Sequence, residues 1–284
     1  MWVIKMNSAV NSIIQSIIGA VNRQKSLLSL SLVGSFFNSA KELEFSNDLD
    51  VVLVYDNLSQ KVFSELKTLA EHIKNKYSSD NLKIAYTFKI GPVKSFEKSK
   101  NILIHFLVYS KKSYLKYSSR LTRYSFQHYP ALLGCSLSEI SRSNSVCIKD
   151  LFNKIDGIPA LKSRISNKSV LYIEPVNQGF KIAKEKLTDE AHLEIVFHST
   201  LWLANNILRV FKEYYSDVSL DMCERFNEKI PISMRDFPLR AYEYKQKMHN
   251  NAKITGKDAA KIKADAMSFV SECEAYLRNN LSKS

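Results

Sequence analysis

The stretch SLVGSFFNSAKELEFSNDLDVVLVYD, residues 31–56, decides the fold. An apolar, β-prone run closes on Gly34-Ser35, and a second begins at Leu49, which Asp48 and Asp50 frame. LDVVLVY, residues 49–55, is an almost unbroken β-branched and aliphatic run, the composition of a strand buried on both faces. Residues two apart on a strand project from the same face, so Asp48 and Asp50 share one face and Leu49 takes the other. Two carboxylates held side by side repel unless a cation sits between them. The pair therefore reads as a divalent-cation site rather than as an acidic turn. Hard oxygen ligands that leave most coordination positions open suit Mg2+ carrying a nucleotide's phosphates. Gly34 lets the backbone come close to a phosphate, and Ser35 adds a hydroxyl. A short helix expected from NSAKELEF would add N-terminal amide groups.

Working outward, SLLSLSLVG (26–34) reads as a strand stopped by its glycine. SQKVFSELKTLAEHIKNKY (59–77) places Val62, Leu66, Leu69, Ala70 and Ile73 on one helical face. NLKIAYTFKIG (81–91) and NILIHFLVYS (101–110) read as two further strands. With a first helix in residues 1–25, the order is helix, strand, short helix, strand, helix, strand, strand. That is a small mixed α/β unit. From about residue 111 the chain becomes aromatic-rich, with SVLYIEPV (169–176) a brief extended stretch, and a helical pattern is expected thereafter. Leu193, Val196, Phe197, Leu201, Ala204 and Leu208 form one stripe, with Thr188 as its N-cap. Ile262, Ala266, Phe269, Val270, Cys273 and Leu277 form another, capped by Thr255. The expected class is α/β (α+β): an N-terminal mixed-sheet domain over residues 1–150, then a helical domain over 151–284.

The run Gly34-Ser35, twelve residues, Asp48-Leu49-Asp50-Val51 resembles the signature of the DNA polymerase beta-like nucleotidyltransferase superfamily. The resemblance covers about residues 26–110. It implies transfer of a nucleoside monophosphate from an NTP to an acceptor hydroxyl, with pyrophosphate leaving and two Mg2+ ions engaged. By matching positions, Gly34 and Ser35 would contact phosphate, and Asp48 and Asp50 would bind metal. Members of this family usually supply a third carboxylate from a later strand. Here that strand is NILIHFLVY, and its one polar interior residue is His105. On an alternating pattern His105 shares a face with Leu103 and Leu107. One reading makes it a buried histidine hydrogen-bonded locally, and the other a general base or acceptor-orienting group. Imidazole is a poor Mg2+ ligand, which leaves the two-metal site incomplete by sequence. Lys83 and Lys89, six apart on the preceding strand, would share a face and could reach a triphosphate. Glu97, between Lys94 and Lys98, is a less suitable acid on a surface loop.

The whole chain bounds these readings. It has 284 residues, 45% hydrophobic and 24% charged, the profile of a globular protein. No apolar run approaches the ~20 residues of a membrane span. The N-terminus lacks a basic leader before a continuous apolar core, so the expected location is the cytoplasm, without membrane partners. Cys135, Cys147, Cys223 and Cys273 form no C-x-x-C pair and hence no zinc framework. The formal net charge of +13 favours an anionic partner. Between Lys83 and Arg123 lie ten basic residues and one acid, Glu97. Three functions remain in view. The first is an Mg2+-dependent nucleotidyltransferase whose acceptor could be RNA or tRNA, a protein or a small molecule. The second is a catalytically degenerate nucleotide- or nucleic-acid-binding protein of the same fold. The third, by analogy of fold alone, is a toxin–antitoxin or defence-system component.

Overall fold

The computed structural model describes residues 8–34, 48–80, 82–91, 101–142, 145–176, 179–215, 218–249 and 254–281. These group into two compact units. The first gathers the described residues of Met1–Ser118, Arg123–Ser143 and Leu171–Ala183; the second holds those of Ser119–Thr122, Asn144–Val170 and Lys184–Ser284.

The elements run α1 (Ser8–Val21), β1 (Leu27–Val33), β2 (Asp48–Tyr55), α2 (Gln60–Tyr77), β3 (Lys83–Thr87) and β4 (Asn101–Ser110). They continue with α3 (Lys111–Tyr117), α4 (Arg120–Phe126), β5 (Ala131–Gly134), α5 (Leu137–Ser141) and α6 (Ile158–Ser166). A hairpin follows, β6 (Ser169–Val176) and β7 (Gly179–Lys186), and then α7 (Asp189–Val210), α8 (Leu220–Lys229), α9 (Phe237–His249) and α10 (Gly256–Leu281).

Five strands of the first unit form one mixed sheet in the order β3-β4-β2-β1-β5. β2 runs antiparallel to β1 and parallel to β4, and β3 is parallel to β4. The alternation of β2 decides what each face carries. Leu49, Val51, Leu53 and Tyr55 join the core built with α1 and α2. Val52 and Val54 join a second core on the other face, with Leu107, Tyr109, Tyr114 and Leu137. Both faces of β2 are covered, as its unbroken apolar run requires. Ser59 caps α2 by accepting a hydrogen bond from the Val62 amide, and Phe63, Leu66, Ala70 and Ile73 form its buried side. Val62 and Leu69 pack at the margin of that core.

Three elements differ from the sequence expectation. The strand expected over 81–91 stops at Thr87, so Lys89 lies beyond it. ALLG pairs with β1 as the short strand β5. The region after residue 176 is not wholly helical, because GFKIAKEK forms β7, which pairs with β6 in a two-stranded sheet. The short helix expected in NSAKELEF, along with Glu97, lies outside the described residues.

In the second unit α6, α7, α8, α9 and α10 share a single core. Thr188 caps α7 by accepting from the Ala191 amide, and Thr255 accepts from the Asp258 amide at the start of α10. α7 is buried on nearly every side, which broadens the stripe expected of it into a central helix. Among the described residues, no helix is long and apolar enough to cross a membrane.

Candidate active site

The site lies where β1 ends and β2 begins. Because β2, β4 and β3 run parallel, their first residues stand at the same edge of the sheet, and β1 delivers its last residues there from the opposite direction. Register then sets the neighbours. Asp50 stands between Val33 on one side and His105 on the other, and Thr87 flanks His105 in turn. Asp48 pairs with Leu103, and Leu103 with Ala85. Alternation puts the Asp48 and Asp50 carboxylates on one face and sends Leu49 into the core, where it is fully buried. Both aspartates remain half-buried.

Gly34 makes the sharp exit from β1 at a φ of +84°. A Cβ at this position would stand 2.6 Å from Asp50 Oδ2. The glycine is therefore required twice, by its left-handed backbone and by the carboxylate lying against it.

His105 is buried and uses both ring nitrogens. Nδ1 lies 2.8 Å from Asp50 Oδ1, and Nε2 lies 2.5 Å from the Lys89 carbonyl oxygen. A carbonyl only accepts, so Nε2 carries a hydrogen; an ionised Asp50 likewise takes one from Nδ1. Burial pushes the imidazole pKa down, but the Asp50 carboxylate, the Lys89 carbonyl and the charge of Asp48 together outweigh it. The pKa stands above the ordinary histidine value. The cationic form that both hydrogen bonds ask for is thus the one that the surroundings favour.

The sequence candidates are placed as follows. Gly34, Asp50 and His105 come together in direct contact, with Asp48 two residues along the same face. Ser35 lies outside the described residues. Lys83 is exposed on the outer strand β3, level with Asn101 and two residues beyond the Asp48 row. Lys89 contributes its carbonyl to His105, while its Nζ sits 4.5 Å from the centre of the Tyr172 ring. Lys83 and Lys89 therefore do not share a regular strand face. Arg123, from the aromatic-rich segment, donates to the carbonyls of Leu115 and Ser118 and ties down α3.

Among the described residues, no group of three His, Cys, Asp or Glu side chains is arranged to hold a metal. The two carboxylates nevertheless match a hard divalent cation in donor type, and their exposure leaves room for further oxygen ligands. His105 does not join them as a ligand in this arrangement, since both nitrogens are engaged. Sequence reasoning missed two participants, Thr87 and the Lys89 carbonyl. A backbone carbonyl carries no residue signature. Thr87 becomes visible only once β3 and β4 are set in register, its hydroxyl accepting from the Lys89 amide at 3.1 Å.

No protein-family model matches the chain, and no curated protein matches it. Among solved structures the chain is similar to spectinomycin adenyltransferase from Enterococcus faecialis, determined with ATP and spectinomycin. The TM-score is 0.51 at 13% identity, over 94% of this chain and 99% of that one. Likeness at such low identity is likeness of fold: the chain has a mixed-sheet, nucleotidyltransferase-like α+β architecture with a helical region.

Proposed function

We propose that the protein is a nucleotidyltransferase that moves a nucleoside monophosphate from an NTP to an acceptor hydroxyl. One observation carries the reading. Asp48 and Asp50 share a face at the start of β2, with Asp50 packed against the left-handed Gly34 turn, on a fold of this kind. The acceptor oxygen attacks the α-phosphorus, the bond to the bridging oxygen breaks, pyrophosphate leaves, and the hydroxyl proton passes to solvent or a nearby base. Mg2+ held by Asp48 and Asp50 would neutralise phosphate charge and lower the acceptor's pKa. The chain's own contribution is positional. Gly34 gives the phosphates close access to backbone, and Ser35, next in the sequence, would add its hydroxyl. His105 fixes Asp50 through Nδ1 and is itself fixed by the Lys89 carbonyl, so we assign it to holding the carboxylate. The dense basic stretch from Lys83 to Arg123 supports an anionic acceptor such as RNA. Lys83, exposed at the start of β3, would contact a phosphate of either substrate.

The test is labelling of a total-RNA or lysate mixture with each labelled NTP and Mg2+. Wild type should label an acceptor, and a folded Asp48→Ala variant should label none. Labelling that survives in the Asp48→Ala, Asp50→Ala double variant would exclude the proposal.

A second reading has its own support. Both His105 nitrogens are engaged, and no third carboxylate completes a metal-holding group among the described residues. A nucleotide-binding protein of this fold without turnover fits that arrangement. Saturable NTP binding with no labelled acceptor from any mixture would select it.

A further inference from the structure

The segment that follows β3 reaches the candidate site through its main chain. Thr87, the last residue of β3, stands in register beside His105. The next residues are anchored in two different cores: Phe88 stacks on Phe106 at 5.1 Å in the core built with α1 and α2, and Ile90 joins the other. Between them the Lys89 carbonyl meets His105 Nε2 at 2.5 Å, and His105 Nδ1 lies 2.8 Å from Asp50 Oδ1. Among the described residues, that is the one hydrogen bond made to the Asp50 carboxylate. Whatever fixes residues 89–91 therefore fixes Asp50.

What fixes them comes from far downstream. From Leu171 onward, β6 belongs to the same compact unit. The Ile90 amide donates to the Ile173 carbonyl at 2.7 Å, and the Ile173 amide returns a bond to the Ile90 carbonyl at 2.8 Å. Lys89 Nζ sits 4.5 Å from the centre of the Tyr172 ring. Gly91, at a φ of +156°, permits the close approach: a Cβ there would stand 3.1 Å from Tyr172 Cβ and 3.3 Å from the Leu171 carbonyl oxygen. Ile173 and Phe180 pack into the core of Val52, Val54, Leu107 and Tyr109. By alternation that is the sheet face carrying the Asp50 and His105 side chains. Covering this core needs only apolar side chains. The two-way main-chain bridge, one residue from the His105 contact, does more than cover.

We infer that β6 positions the Asp50 carboxylate, with Ile173 as the positioning residue. Its main chain holds Ile90, the adjoining Lys89 carbonyl holds the His105 ring, and the ring holds Asp50. The consequence for catalysis rests on the nucleotidyltransferase reading, whereas the positioning itself does not.

Ring 15N NMR of the full chain with labelled histidine tests it, the His105 signals being assigned by their loss in His105→Gln. Gly91→Ala crowds Tyr172 and should force β6 away from Ile90, so both His105 ring nitrogens should shift from their wild-type positions. Ile173→Ala trims a half-buried side chain and leaves every amide in place. It should shift both nitrogens in the same direction by less, and it decides the matter where Gly91→Ala does not fold. Ile73→Val, in the core under α2, should lower Tm and leave both nitrogens where they are. The inference fails if neither nitrogen moves in a folded variant of the β6 contact. It fails too if Nε2 moves alone, because the displacement then stops at the ring, or if Ile73→Val moves both equally. NTP labelling is a separate measurement. On the transferase reading, Gly91→Ala should lower kcat per folded molecule by up to about 100-fold, the cost of a small misplacement at a reacting centre. A wild type that labels no acceptor would remove that reading and leave the NMR outcome standing.

Discussion

At the scale of single residues, the site depends on one contact that no side chain other than hydrogen allows. Gly34 has a φ of +84°, and a Cβ there would come within 2.6 Å of Asp50 Oδ2. Gly34→Ala therefore meets two penalties, the left-handed strain of about 1–3 kcal/mol and displacement of a carboxylate that His105 also holds. The expected result is a lower urea midpoint with unchanged m-value. If the proposed activity is present, its loss should exceed what the fraction folded explains. A variant as stable as wild type would show that the turn relaxes away from Asp50. The two aspartates and this glycine were legible in the sequence because strand alternation and glycine's backbone freedom are local properties. The role of His105 was not. Its neighbours on both sides are 55 and 16 residues away, and one of them is a main-chain carbonyl. Alternation could place the ring on the right face, but it could not show that both nitrogens would be taken.

At the scale of elements, the same division recurs. β2 and β4 were readable from unbroken apolar runs, and α7 and α10 from their stripes and threonine caps. β7 was not, because GFKIAKEK packs Lys181, Lys184, Glu185 and Lys186 into eight residues with no regular alternation of apolar and polar positions to mark a strand. β3 ended early for a related reason: Phe88 continues the inner core and Ile90 crosses to the other one, so the apolar pattern outlasts the strand. The connection after α7 offers a quantitative check. Glu213 accepts from Arg225 at 2.8 Å and is also bonded by Lys229, and these two cations hold its carboxyl down to about 2 from the usual 4.5. A folded-state pKa below the unfolded value contributes stability in full above about pH 4.5, and that contribution disappears as the pH falls towards 2. Glu213→Gln should therefore lower Tm at pH 7, with the gap from wild type closing between pH 4.5 and 2. A gap that is constant with pH would mean that the carboxylate contributes through packing rather than charge.

At the scale of the whole molecule, both units tie acids to basic side chains. The helical unit pairs Glu274 with Lys162 and Arg278, Asp265 and Asp236 with Arg240, and Glu213 with the α8 cations. The sheet unit pairs Asp50 with His105, Glu71 with Lys74, and Glu174 with Lys181. Composition alone disclosed the surplus charge but not these pairs, which arise from which elements pack together. The helical core also contains its own reporters. Cys223 and Cys273 are fully buried in it, whereas Cys147 is exposed and Cys135 is half-buried. Burial pushes the Cys223 thiol up to about 12 and raises Cys273 well above the ordinary thiol range, so neither forms thiolate while folded. A thiol reagent at pH 8 should modify Cys147 first. Cys223 and Cys273 should follow much later and at a common rate, because α8 and α10 bury them in one core and a single opening exposes both. Mass spectrometry of quenched samples resolves the three sites. Modification of Cys273 well before Cys223 would show that α10 frays from the core on its own, and that the helical unit opens in parts rather than as one body.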